Sequence, residues 1–124
     1  MKSAINATSI FVAAIAFSSM LGSETNVDKL SVLIIEETEN RSSIPPVQLN
    51  AIFSNSWKEY VDEQQGQWRV LDQHSDIQKE QAWVVNLFDL KRDSLPWLIV
   101  ANKDYSKSCP LPDDINGIMK EIKR

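Results

Sequence analysis

An α/β fold with a mixed four-stranded sheet and helices on both faces is predicted by three features of the sequence. Trp97-Leu98-Ile99-Val100-Ala101 is a short, unbroken apolar run, the pattern of a strand covered on both faces. Leu30-Ser31-Val32-Leu33-Ile34-Ile35 is a second such run, rich in β-branched residues, and reads as a central strand. Between the two lie stretches whose apolar residues recur every three or four positions, so strands and helices alternate.

Taken in order, the first strand gives way to a polar loop, Glu36-Glu37-Thr38-Glu39-Asn40-Arg41-Ser42-Ser43. Ser42 and Ser43 suit a helix N-cap, and Pro45 or Pro46 suits the first helical turn. A helix is expected from Pro46 to Gln64, with Leu49, Ile52, Phe53, Trp57, Tyr60 and Val61 on one stripe and Gly66 as its stop. Trp68-Arg69-Val70-Leu71-Asp72 is expected as a short second strand. A second helix is expected from Ile77 to Leu90, capped by Ser75 or Asp76, with Lys91 and Arg92 at the negative end of its dipole. Pro96 then stands at the mouth of the third strand, where a residue that cannot donate to a sheet ladder belongs. Asn102-Lys103-Asp104 forms a turn, Tyr105 to Cys109 pairs back as a last strand, and Pro110 and Pro112 end it. A final helix starts at Asp113 or Asp114 and buries Ile115, Ile118, Met119 and Ile122. The order β-α-β-α-β-β-α pairs the first two strands in parallel and the last two antiparallel.

With 124 residues the chain has room for one domain and one modest core, and its apolar (43%) and charged (24%) fractions are those of a globular protein. A net charge of −4 without any Lys/Arg cluster leaves no electrostatic footprint for nucleic acid. Residues 1–22 have the parts of an export signal: Lys2, an apolar core from Ile10 to Phe17, then Ser18, Ser19, Gly22 and Ser23. The core is shorter than the roughly 20 residues that span a bilayer. The expected organisation is a signal peptide over 1–22 and one domain over 23–124, exported to the periplasm or the exterior, with no stable membrane insertion after cleavage. Cys109 is the single cysteine, so no internal disulfide is expected.

The element order, with Leu95-Pro96-Trp97-Leu98 opening the third strand, resembles the thioredoxin-like fold, a three-layer sandwich, over about Lys29 to Arg124. The resemblance implies a cis peptide bond before Pro96. It also implies a rim there, where the backbone of family members pairs with an extended peptide. Thioredoxins carry Cys-x-x-Cys between the first strand and its helix, and here that place holds Asn40-Arg41-Ser42-Ser43-Ile44. Without a thiolate there is no disulfide exchange, so the family's redox chemistry carries over to no residue of this loop.

Candidate binding residues are therefore Arg41, Ser42, Pro96 and Trp97. Arg41, beside a helix start, is a candidate for an anion, although Glu36, Glu37 and Glu39 make the loop net negative; those three carboxylates are read as a solvated loop or as one that could instead recruit a cation. Ser42 and Ser43 stand either where an active site once was or simply as caps. Trp97 is read either as a partner's aromatic anchor at the rim or as core packing. Cys109 is read as a half-buried small residue or as a reactive or intermolecular thiol. His74 stands alone in a polar turn, and neither a metal set nor a catalytic triad has any spacing logic. Asn40-Arg41-Ser42 matches a glycosylation acceptor. No cofactor is expected. The expected function is non-catalytic binding or scaffolding, with an extended peptide or protein partner at the Pro96 rim. The alternatives are a thiol enzyme using Cys109 alone and a subunit of a larger complex.

Overall fold

The computed structural model of the protein describes residues 27–123. The segment read as an export signal, 1–22, lies outside the described residues, as does Arg124. The chain forms β1 (Ser31–Glu36), α1 (Pro46–Ile52), α2 (Asn55–Glu63), β2 (Gln67–Asp72), α3 (Ala82–Phe88), β3 (Trp97–Ala101), β4 (Ser106–Pro110) and α4 (Ile115–Ile122), with 3-10 segments at Thr38–Ser43 and Ile77–Lys79. The sheet order is β2-β1-β3-β4. β1 pairs in parallel with β2 and antiparallel with β3, and β3 pairs antiparallel with β4. The parallel pair needs a long crossover, which α1 and α2 supply; the β3–β4 pair needs only the turn at Asn102, whose Oδ1 accepts from Asp104 N–H and Tyr105 N–H.

Every residue of β1 is buried. Alternation sends Val32 and Ile34 to a face covered by Ile52, Trp57, Val61, Ile118 and Ile122, from α1, α2 and α4. Leu33 and Ile35 face the other side, against Trp83, Val84 and Leu87 of α3. The sheet is thus covered on both faces, and each fully buried aliphatic side chain contributes about 1.5–3 kcal/mol of transfer free energy.

Two expected helices are shorter than the apolar periodicity suggests. The single helix over Pro46–Gln64 is two helices, broken at Phe53 and Ser54. Ser54 Oγ accepts from Ser56 N–H at 3.2 Å and so restarts the chain as an N-cap. The buried indole N–H of Trp57 donates to Ala51 O at 3.0 Å and Ile52 O at 3.3 Å, satisfying the carbonyls that the break exposes. Phe53, assigned to the buried stripe, is 46% exposed because the break turns it outward. The helix expected over Ile77–Leu90 is a 3-10 turn, Ile77–Lys79, followed by α3. Asp76 caps the turn, accepting from Gln78 N–H, and Gln81 lies outside α3 at its N-cap.

The stop of α2 also differs in detail. Gln65, not Gly66, takes the left-handed conformation, at φ 60°. Gly66 N–H donates to Val61 O at 2.8 Å and Gln65 N–H to Asp62 O at 2.9 Å, the paired bonds of a Schellman end. Gly66 is needed for closeness instead: a Cβ there would lie 2.5 Å from Leu30 O and 2.9 Å from Val61 Cγ1. At the other end of the crossover, the buried Gln48 of α1 donates through Nε2 to Leu111 O and Pro112 O, tying α1 to the β4–α4 connection. Among the described residues no helix is long and apolar enough to cross a membrane.

Candidate functional site

The loop after β1 is held by carboxylates rather than left in solvent. Glu36 ends β1, is 2% exposed, and accepts a two-pronged bond from Arg41, Nε to Oε1 at 2.9 Å and Nη2 to Oε2 at 2.7 Å. A buried carboxylate requires such a partner, and the planar fork of arginine fits it. The hydrogen bond to Glu36 raises the Arg41 pKa above its ordinary value, so this cation is permanent. Its guanidinium carbon lies 5.0 Å from the ring centre of Phe53, the exposed aromatic at the break between α1 and α2.

Asp72, at the end of β2, accepts from Thr38 N–H at 2.6 Å and His74 N–H at 2.8 Å. These backbone bonds, Thr38 first, hold its carboxyl below the usual carboxylate range. Glu37 is fixed on both oxygens by neutral amides: Asn40 Nδ2 donates to Oε1 at 3.0 Å and Gln73 Nε2 to Oε2 at 2.8 Å. No cation pairs with Glu37 among the described residues.

This loop meets the entrance to β3. Glu37, Asn40, Ile44, Pro45, Leu95 and Pro96 are among the residues that enclose a pocket of about 190 Å³. The Leu95–Pro96 peptide is cis. Pro96 O accepts from Leu111 N–H at 3.0 Å, which joins the pocket to the edge of β4. The main-chain N–H and C=O of Leu95 have no hydrogen-bond partner among the described residues. Leu95, with its unpartnered main-chain donor and acceptor, thus stands on the wall of this pocket, beside an apolar flank and a carboxyl side chain held by neutral groups. Depressions elsewhere are larger but built differently. One of about 290 Å³ beside β2 is bordered by the Arg69–Glu80 fork, both of whose charges are already paired.

Of the four binding residues expected from sequence, Pro96 lines this pocket. Arg41 is engaged with Glu36 and is not held free for an anion. Ser42 is exposed, and neither it nor Ser43 caps α1 through its side chain; Pro45 is the cap residue. Trp97 is not at the rim. It is 5% exposed and packs with Ile35, Trp83 and Leu87, because it is the first β3 residue and alternation sends it to the α3 face. Its indole N–H has no partner among the described residues. Cys109 is half-buried on edge strand β4 opposite Leu98, packed against the α1, α2 and α4 side. Among the described residues no three His, Cys, Asp or Glu side chains gather as a metal site would need.

Leu95 was not singled out by the sequence, and Glu37 only as one of three carboxylates of an acidic loop. Glu37 reads as one carboxylate of a solvated acidic loop, and its fixing depends on Gln73, 36 positions away. Leu95 carries its free groups on the backbone, where no side-chain pattern records them. No protein-family model, curated protein or solved structure matches the chain.

Proposed function

We propose that the chain is a thioredoxin-like domain without the family's redox site, and that it binds an extended segment of a partner protein along the main chain of Leu95. The observation that carries this reading is the unpaired N–H and C=O of Leu95 on the pocket wall, next to Pro96. An extended strand satisfies both groups at once, with its side chains alternating into and away from the pocket; this is β-augmentation. The role is non-catalytic, because Arg41, Ser42, Ser43 and Ile44 supply no thiol where disulfide exchange would need one. The pattern of Lys2 and the apolar stretch from Ile10 to Phe17 supports a place of action outside the cytoplasm.

The test is an NMR titration of the mature chain with a small library of capped pentapeptides, Thr-Val-X-Val-Thr, the central residue varied. The Leu95 amide should shift downfield and exchange more slowly with solvent for the members that bind. A library in which no member perturbs Leu95, while the spectrum stays that of the folded protein, would refute the reading.

A further inference from the structure

We propose that the pocket beside Pro96 selects a partner segment carrying a lysine or arginine, whose cation meets the Glu37 carboxylate. The inference rests on the reading of the site as a strand-binding rim and names the chemistry of what is bound there. Its basis is the unusual standing of Glu37. Of the loop's charged side chains, Glu36 is neutralised by Arg41 through a two-pronged bond. Asp72, at the end of β2 beside the loop, is occupied by the backbone of Thr38 and His74. Glu37 is only half-exposed and lines the pocket, yet both its oxygens are held by amides that carry no charge. Those amides fix the position of the carboxylate and bring no opposite charge to it. A group placed in this way attracts a cation without having to be ordered first, which lowers the cost of binding.

The rest of the pocket matches the same side chain. Ile44, Pro45, Leu95 and Pro96 give it an apolar flank. Lysine and arginine have an aliphatic stem that lies along such a surface and a charged head that reaches past it. The surroundings add to the attraction. Glu39 is exposed in the same loop, and the only cation there, Arg41, is already bound to Glu36. An acidic segment would bring like charge against Glu37 and be rejected.

The experiment compares peptides Thr-Val-X-Val-Thr with X as Lys, Arg, norleucine, Thr or Glu, titrated into the mature chain at about 50 mM and about 500 mM salt. The Lys and Arg peptides should shift the amides of both Glu37 and Leu95. They should bind about tenfold more tightly than the norleucine peptide at the lower salt, as a charge-assisted bond at a partly shielded site would give. The Glu peptide should be weakest. High salt should narrow the gap, and Glu37→Gln should close it while the Leu95 shifts remain. If Glu37→Gln does not fold, the comparison of peptides on the natural chain still decides the matter. Equal binding of all five peptides at Leu95 overturns the choice of cation and leaves strand binding standing. Lys or Arg peptides that bind without moving Glu37 also overturn it, as general attraction to an acidic surface. If no peptide perturbs Leu95, the strand-binding reading fails and this inference falls with it.

Discussion

Replacing Trp57 with phenylalanine tests the account of why the long apolar stripe breaks into α1 and α2. Trp57 has no exposed surface, and its indole N–H donates to Ala51 O and Ile52 O. Phenylalanine keeps a ring in the core but has no donor. Ala51 O would keep the Ser54 N–H at 3.2 Å. The break would still lose a buried donor, at about 1–3 kcal/mol for carbonyls left short of one. The smaller ring also leaves a void of about three heavy atoms, which costs about 2 kcal/mol. Its edge contact with Trp68, now 5.5 Å between ring centres at 75°, would weaken in addition. The expected loss is therefore about 3–5 kcal/mol, a large share of the roughly 5–15 kcal/mol that holds an ordinary domain together. Urea unfolding followed by far-ultraviolet circular dichroism measures it, with m unchanged if the native state keeps its extent. A loss below about 1 kcal/mol would show that the indole does not sustain the break and that Ser54 alone is enough.

Other consequences can be measured on the same material. Asp72 lies below the usual carboxylate range because its native bonds to Thr38 and His74 favour the ionised form. The stability this brings is complete above the unfolded-state value of about 3.9 and is lost as pH falls through the lower native value. Asp72→Asn should thus be less stable at neutral pH and show a flatter fall in urea midpoint below about pH 4; an unchanged acid limb would remove Asp72 from the loop's support. At the end of α2, Gln65→Gly should stabilise by about 0.5–1 kcal/mol by relieving the left-handed side chain, whereas Gly66→Ala should destabilise, its Cβ pressed against Leu30 O. Thermal melts that reverse the two signs would mean the helix end is misassigned. The purified domain should not reduce insulin disulfides above background, and any turnover that survives Cys109→Ser would contradict the non-catalytic reading.

The strands were the legible part of the fold. Their signal is burial on both faces, which writes itself as an unbroken apolar run, as at Trp97–Ala101. Pairing followed from connection length: a tight turn at Asn102 and a long crossover after β1. Helix lengths were less legible, because apolar periodicity runs straight through Phe53 and Ser54. What breaks the helix there is a serine cap and a tryptophan donor, both acting on the backbone. The site was legible at Pro96 and in the loop Asn40–Ile44, which borders the same pocket. Arg41 was visible as a cation near a helix start, but its partner Glu36 reads as a loop residue until the strand is seen to extend that far. Of its two readings, rim anchor and core packing, Trp97 takes the second, and adjacency to Pro96 alone could not decide between them because it says nothing of which sheet face the side chain takes.

The burial of every β1 residue bears on how the chain is made. β1 pairs with β2, residues 67–72, and with β3, residues 97–101. During synthesis Ser31–Glu36 therefore leaves the ribosome long before its antiparallel neighbour exists. For that interval a β-branched ribbon has both of its sides open, and such a ribbon is a template for pairing with other chains. Cells making this protein have to shield Ser31–Glu36 until Trp97–Ala101 has also arrived. A chain cut short before Trp97 would keep that segment open, and it should be recovered with holdase chaperones or in aggregates.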